Sequence, residues 1–113
     1  MNFQQYQEEL TNLQKFYPVQ DTGREFFVRC LELSEETGEV VSILKRLFRG
    51  DYTENQMPEV YQQLSKELGD VLAAVTLLAN HFDLNLADIA AQNLEKINNR
   101  VTQGTLVGTG SDR

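Results

Sequence analysis

Two acidic pairs constrain this chain more than any other feature: Glu36 and Glu39 within EETGE, and Glu67 and Asp70 within ELGD. Each pair is spaced i,i+3, which projects both members from one side of an α-helix. Two such helices lying side by side bring four carboxylates together. Clustered carboxylates repel one another unless a cation neutralises them, and hard oxygen ligands suit Mg²⁺ or, as a substitute, Mn²⁺. The pattern predicts a helical, divalent-metal-dependent enzyme acting on a substrate that carries phosphate.

Apolar spacing predicts four helices. Phe3, Tyr6, Leu10, Leu13 and Tyr17 recur at steps of three and four, giving a first helix from about Asn2 to Tyr17 that Pro18 stops. A second opens near Asp21 or Thr22 as cap, carries the stripe Phe26, Cys30, Leu33, Val41, Leu44 and Phe48, and ends after Arg49 at Gly50. After a polar loop over residues 50–57, Pro58 suits the first turn of a third helix reaching about Phe82. Its stripe is Tyr61, Leu64, Leu68, Val71, Val75, Leu78 and Phe82, and the uncharged run from Val71 to Ala79 implies cover on all sides. Asn85 caps the fourth helix, which runs to about Thr102. Residues 1–102 read as one domain and 103–113 as a Gly/Thr-rich, flexible tail.

Composition narrows the function classes. A net charge of -7 argues against a nucleic-acid or anionic-membrane surface, although a bound metal can reverse the local sign at an acidic site. Cys30 is the single cysteine, so an internal disulfide and a thiolate zinc cluster are both excluded, and a buried structural thiol is expected. The opening MNFQQYQEEL lacks the basic and apolar stretches of a secretory signal, and no run reaches membrane-spanning length. The expected location is the cytoplasm. At 113 residues the core is modest, and pairing with another subunit would help it.

Acidic helical residues are most often solvated surface, and Glu25 and Glu32 on a similar face fit that reading. Glu67 and Asp70 fit it less well, because they border the apolar run, where an unpaired charge costs several kcal/mol. Lys66, Lys45 and Arg46 are available ion-pair partners, so pairing and metal binding both stand on spacing alone. Glu35 is i,i+4 to Glu39 but about 100° around the helix from Glu36, and can ligate, orient or face water. Gly38 inside the helix serves close packing or leaves room beside the carboxylates. Asn93, Lys96 and Arg100 share one side of the fourth helix; either cation alone reads as solvated, but beside an acidic metal centre the three make a cradle for phosphate oxygens. His81 lacks a glutamate three residues before it, which disfavours a di-iron bundle; it is expected to cap the third helix. Phe16, Tyr17, Phe27 and Phe48 can stack on a base, though aromatics at helical spacing more often belong to a core.

The strings LSEETGEVVSILKRLFRGD, KELGDVLAAVTLLA and NLEKINNR together resemble a single-domain MazG-like nucleoside triphosphate pyrophosphohydrolase of the all-α NTP pyrophosphatase superfamily. The resemblance covers about Phe26 to Arg100, with every acidic position of E-E-x-x-E and E-x-x-D filled in order. It implies an all-α, four-helix bundle whose active site is completed by oligomerisation as a homodimer or homotetramer. It further implies Mg²⁺ held by Glu36, Glu39, Glu67 and Asp70, with Glu35 in the same acidic catalytic cluster. Lys96, Arg100 and Lys45 would meet the departing pyrophosphate, and Asn93 the phosphate or sugar. The implied reaction is hydrolysis of the α–β phosphate bond of (deoxy)NTPs to monophosphate and pyrophosphate, as house-cleaning of dNTPs or non-standard nucleotides. A relative acting on another phosphorylated substrate, such as phosphoribosyl-ATP, and a non-catalytic helical protein binding nucleotide or metal are the alternatives. The tail GTLVGTGSDR resembles a glycine-rich ending of some relatives, but Ser111 precedes Asp112 where the acidic residue usually follows glycine directly.

Overall fold

The computed structural model describes residues 1–19 and 23–104 of the chain, and among these it contains helices and no strands. The fold is all-α, with α1 over Phe3–Leu13, α2 over Glu25–Arg49, α3 over Met57–His81 and α4 over Leu86–Gln103. Short 3-10 turns follow α1 at Gln14–Phe16 and precede α3 at Glu54–Gln56.

Local chemistry sets most of the boundaries. Asn2 caps α1 in a reciprocal box with Gln5, each side chain meeting the other's backbone N–H at 2.8 Å. The α-helix tightens to a 3-10 turn after Leu13, short of the expected Tyr17. Gly50 ends α2 at φ 84, a left-handed conformation open to glycine at little cost. Pro58 lies in the first turn of α3, and Asn85 caps α4 by accepting the Asp88 N–H at 3.1 Å. Asp21 and Thr22, expected to cap α2, and the tail beyond Gly104 lie outside the described residues.

α2 and α3 have 25 residues each, about 37 Å at helical rise, and pack along their length as an antiparallel hairpin. Their burial follows lines seven residues apart. Arg29 and Ile43 are buried on α2 with half-buried Glu36 between them; Val60 and Ala74 are buried on α3 with half-buried Glu67 between them. Each line therefore places a glutamate where a coiled-coil seam would carry an apolar residue. The expected apolar stripes sit to one side of these lines. Val41 is 56% exposed and Phe48 85% exposed, and Tyr61, Leu68 and Phe82 are exposed as well. No residue from Val71 to Asn80 is exposed, yet only Ala74, Thr76 and Ala79 are buried, so the expected all-round cover is partial. Cys30 is likewise half-buried rather than enclosed.

α1 has no buried residue and is fastened chiefly by polar contacts. The Gln7 amide donates to Asn80 Oδ1 at 2.8 Å and to the Leu84 carbonyl at 2.9 Å, and its oxygen accepts the Leu86 N–H at 2.8 Å. Asn80 in turn donates to Thr11 Oγ1 at 2.9 Å. One glutamine thereby joins α1 to the turn between α3 and α4. α4 packs against α1 and makes no extensive contact with α2.

Candidate metal centre

The heptad lines bring Glu36 and Glu67 together, and Asp70, one turn after Glu67, joins them. One carboxylate oxygen from each of Glu36, Glu67 and Asp70 lies within 4.8 Å of the others. Glu36 comes from α2, and Glu67 and Asp70 come from successive turns of α3. Among the described residues no ion pair is formed by any of the three: the available cations Arg29 and Arg49 pair with Glu25 and Glu32, and with Asp51. The expected partners Lys66, Lys45 and Arg46 form no ion pair among the described residues either.

Crowding of charge shows in Glu36, whose carboxyl titrates above its ordinary range. Burial is the largest cause, followed by the negative charges of Asp70, Glu35, Glu67 and Glu39. The other four acidic residues singled out by sequence thus all act on Glu36. Glu39 is exposed and is not part of the triad, so the structure groups three of the four expected ligands. Three carboxylates converging without a paired cation among the described residues are a hard, anionic donor set, which fits a divalent metal ion.

A cleft of about 320 Å³ opens beside this cluster, lined by Glu35, Glu36 and Asp70 and also by Gln14, Tyr17, Arg29 and Glu32. Glu35, of undecided orientation by sequence, therefore faces the same cleft. A larger cleft of about 570 Å³ between α1 and the α3–α4 turn is lined by amides and isolated acids such as Glu8 and Asp83.

The phosphate-binding candidates lie elsewhere. Lys45 is exposed toward the loop end of α2, where it joins Arg49 and Arg46 in drawing the Asp51 carboxyl below its ordinary range, the Arg49 hydrogen bond being the main cause. Asn93 and Lys96 are exposed on α4 and Arg100 is half-buried, and none of the four lines the acidic cleft. Gly38 serves no close packing among the described residues, since a Cβ there would meet none of their atoms within 4 Å. His81 ends α3 with its ring against Phe26 and Phe82, at centroid distances of 5.5 and 5.1 Å.

Two residues bear on the site that sequence reading passed over. Arg29 is only 6% exposed and donates to both Glu32 oxygens, at 3.0 and 3.1 Å, and to Gln14 Oε1 at 2.7 Å. Glu25 stands 3.7 Å from the same guanidinium. Glu25 and Glu32 are therefore partners of a buried cation rather than plain acidic surface. A basic residue flanked by acids at i-4 and i+3 was the available signal. Tyr6 on α1 is the second, its phenol held above its ordinary range by burial and then by the charge of Asp70. In sequence it is one member of an apolar stripe, and nothing there marks it.

Fold and triad together define an all-α protein built around a candidate divalent-metal centre. The chain belongs to the MazG nucleotide pyrophosphohydrolase domain family, whose model matches residues 29–105. It is similar to the Gene 37 protein of Mycobacterium phage L5, at 35% identity over 78 residues covering 69% of this chain and 68% of that protein. It is also similar to the protein YvdC of Bacillus subtilis (strain 168), named as uncharacterized, at 31% identity over 78 residues covering 66% of this chain and 74% of that protein. No solved structure matches the chain significantly. Membership supports a nucleotide substrate, a metal-dependent site and pyrophosphohydrolase chemistry at the level of the family. No described helix is long and apolar enough to cross a membrane.

Proposed function

We propose that the protein is a cytoplasmic, Mg²⁺-dependent nucleoside triphosphate pyrophosphohydrolase that releases a monophosphate and pyrophosphate from (deoxy)NTPs as a house-cleaning activity. The observation that carries this reading is the convergence of Glu36, Glu67 and Asp70 within 4.8 Å, with no ion pair to a protein cation among the described residues. Those three residues would hold the metal, with Glu39 one turn from Glu36 as a further ligand. A divalent cation supplies charge neutralisation for the triphosphate and acidifies a water in its shell.

Glu35 lines the cleft outside the triad, which leaves its carboxylate to take a proton from the attacking water. The water oxygen forms a bond to the α-phosphorus as the bond to the bridging oxygen breaks, and pyrophosphate leaves with the bridging oxygen. Asn93, Lys96, Arg100 and Lys45 are assigned to the phosphates. Since α4 packs on α1 and not along α2, the approach of Asn93, Lys96 and Arg100 to a triad requires a second copy of the chain, as a homodimer or homotetramer.

The test is a panel of ribo- and deoxynucleoside triphosphates with Mg²⁺, with pyrophosphate and orthophosphate measured separately and with a chelator control. Metal-dependent pyrophosphate with matching monophosphate is the expected result. Orthophosphate alone would defeat attack at the α-phosphorus, and uptake of nucleotide with no phosphate product would favour a binding protein.

A further inference from the structure

The acidic cleft has two chemically different ends. On α2, Glu36 and Arg29 are seven residues apart, about 10 Å along the axis, with Ala73, Ala74 and Leu77 of α3 lining the stretch beyond Asp70. One end gathers carboxylates that form no ion pair among the described residues; toward the other lie a tyrosine ring, a glutamine amide, small or apolar side chains and the Arg29–Glu32 ion pair. A triphosphate held at the acidic end through a cation directs its nucleoside toward the other end, and the separation is comparable to a nucleoside's reach.

Gln14 and Tyr17 belong to the 3-10 turn after α1 and the residue that caps it, so no helix of their own fixes them against α2. Arg29 connects Gln14 to α2, and the Tyr17 N–H donates to the Gln14 carbonyl at 3.0 Å, so the tyrosine follows through the turn. The Arg29 guanidinium is locked by both Glu32 oxygens and donates to Gln14 Oε1 at 2.7 Å. An arginine donor can be met only by the amide oxygen, which leaves the Gln14 NH₂ as the end available to a ligand. With Nη1 on Glu32 and Nη2 on Gln14 near Glu25, the guanidinium is occupied in holding protein groups rather than placed to take phosphate.

We infer that Arg29 is a positioning residue for substrate selection: it fixes Gln14 and Tyr17 as a wall that contacts the nucleoside, the ring by stacking and the amide as a donor to a base or sugar oxygen. This rests on the pyrophosphohydrolase reading above. Arg29 touches no reacting atom, and its loss acts on recognition of the nucleoside rather than on the phosphate chemistry.

The experiment compares Arg29→Met, Arg29→Lys and Gln14→Leu with the wild type on the same triphosphate panel. It adds inhibition by inorganic pyrophosphate, which carries no nucleoside, and the thermal shift on adding Mg²⁺. Expected are a KM for the best nucleotide raised about tenfold or more and flattened discrimination among bases in Arg29→Met and Gln14→Leu. The pyrophosphate inhibition constant and the Mg²⁺ shift stay near wild type. Arg29→Lys keeps the charge but loses the forked geometry, and falls between. Gln14→Leu leaves the Arg29–Glu32 pair in place, so it reports on the wall even if Arg29→Met folds poorly. Lower thermal stability with unchanged KM and unchanged base preference in Gln14→Leu would make the contact merely structural and overturn the inference alone. A wild type that neither hydrolyses nor binds any member of the panel overturns the pyrophosphohydrolase reading and this inference together.

Discussion

At the scale of single residues, the triad behaves as a charge problem that one chain leaves unsolved. Glu36 illustrates it, because burial and then four neighbouring carboxylates raise its titration above the 4.5 of an unperturbed glutamate. Between that value and the raised one, the folded chain holds a proton that the unfolded chain has lost. Stability in chelator must therefore fall as pH rises through this window, and reach a lower plateau above it. Asp51 has the opposite sign, since Arg49 lowers it; its contribution is lost only as pH drops below its ordinary 3.8 and does not mask the effect. Thermal melts across pH with chelator should show the fall, Glu36→Gln should flatten it, and Mg²⁺ should offset it in the wild type alone. A chelated wild type whose stability is level across that window would mean the carboxylates do not crowd in solution. Glu67→Gln and Asp70→Asn carry the complementary prediction: turnover at least about 100-fold lower, with helical circular dichroism retained. Collapse of the helical signal instead would assign those carboxylates to holding the hairpin together.

At the scale of elements, the sequence was most legible where termination chemistry is local. Gly50, Pro58 and Asn85 marked their boundaries because a left-handed φ, a missing N–H and a capping oxygen each act within a few residues. The rotation of α2 was less legible for a physical reason. Its inward line runs through Arg29, Glu36 and Ile43, so the functional residues occupy seam positions and the apolar pattern locks onto the neighbouring face of Val41 and Phe48. The acidic pairs were still found because their spacing does not depend on which face is buried. The attachment of α1 was illegible, since Gln7 and Asn80 meet across 73 residues of sequence and neither stands out in composition. Three hydrogen bonds converge on the Gln7 side chain, each worth about 1 kcal/mol net. Gln7→Leu should cost about 2 kcal/mol, read as a lower urea midpoint at unchanged slope and fixed protein concentration. The expected loss is confined to the junction of α1 with the α3–α4 turn, so protection of the α2–α3 hairpin amides from hydrogen exchange should outlast that of α1. Equal loss across all the helices would show that α1 folds as one unit with the hairpin.

At the scale of the whole molecule, one chain does not account for its own surface. A compact protein of this length has a radius of gyration of about 13 Å, whereas the Cα value here is 17.3 Å. Val41 and Phe48 lie seven residues apart on one line of α2 and face outward, and Tyr61 and Leu68 do so on α3. Large apolar side chains exposed in such lines are common where copies of a chain associate. The same geometry governs catalysis in the proposed reading, because α4, with Asn93, Lys96 and Arg100, stands off the helix that carries Glu36. If a second copy closes that gap, assembly and turnover must fail together while metal binding at the triad survives. Light scattering should give a mass of at least twice 12.9 kDa for the wild type. Val41→Glu combined with Phe48→Glu puts two charges on the outward line without touching the triad, the cleft or the Gln7 junction. That variant should be monomeric, retain the Mg²⁺-induced thermal shift, and lose nucleotide turnover by at least about 100-fold. A monomeric variant with wild-type turnover would place the phosphate-binding cations within one chain, on residues other than those of α4. A monomeric wild type that is fully active would remove the second copy from the mechanism altogether.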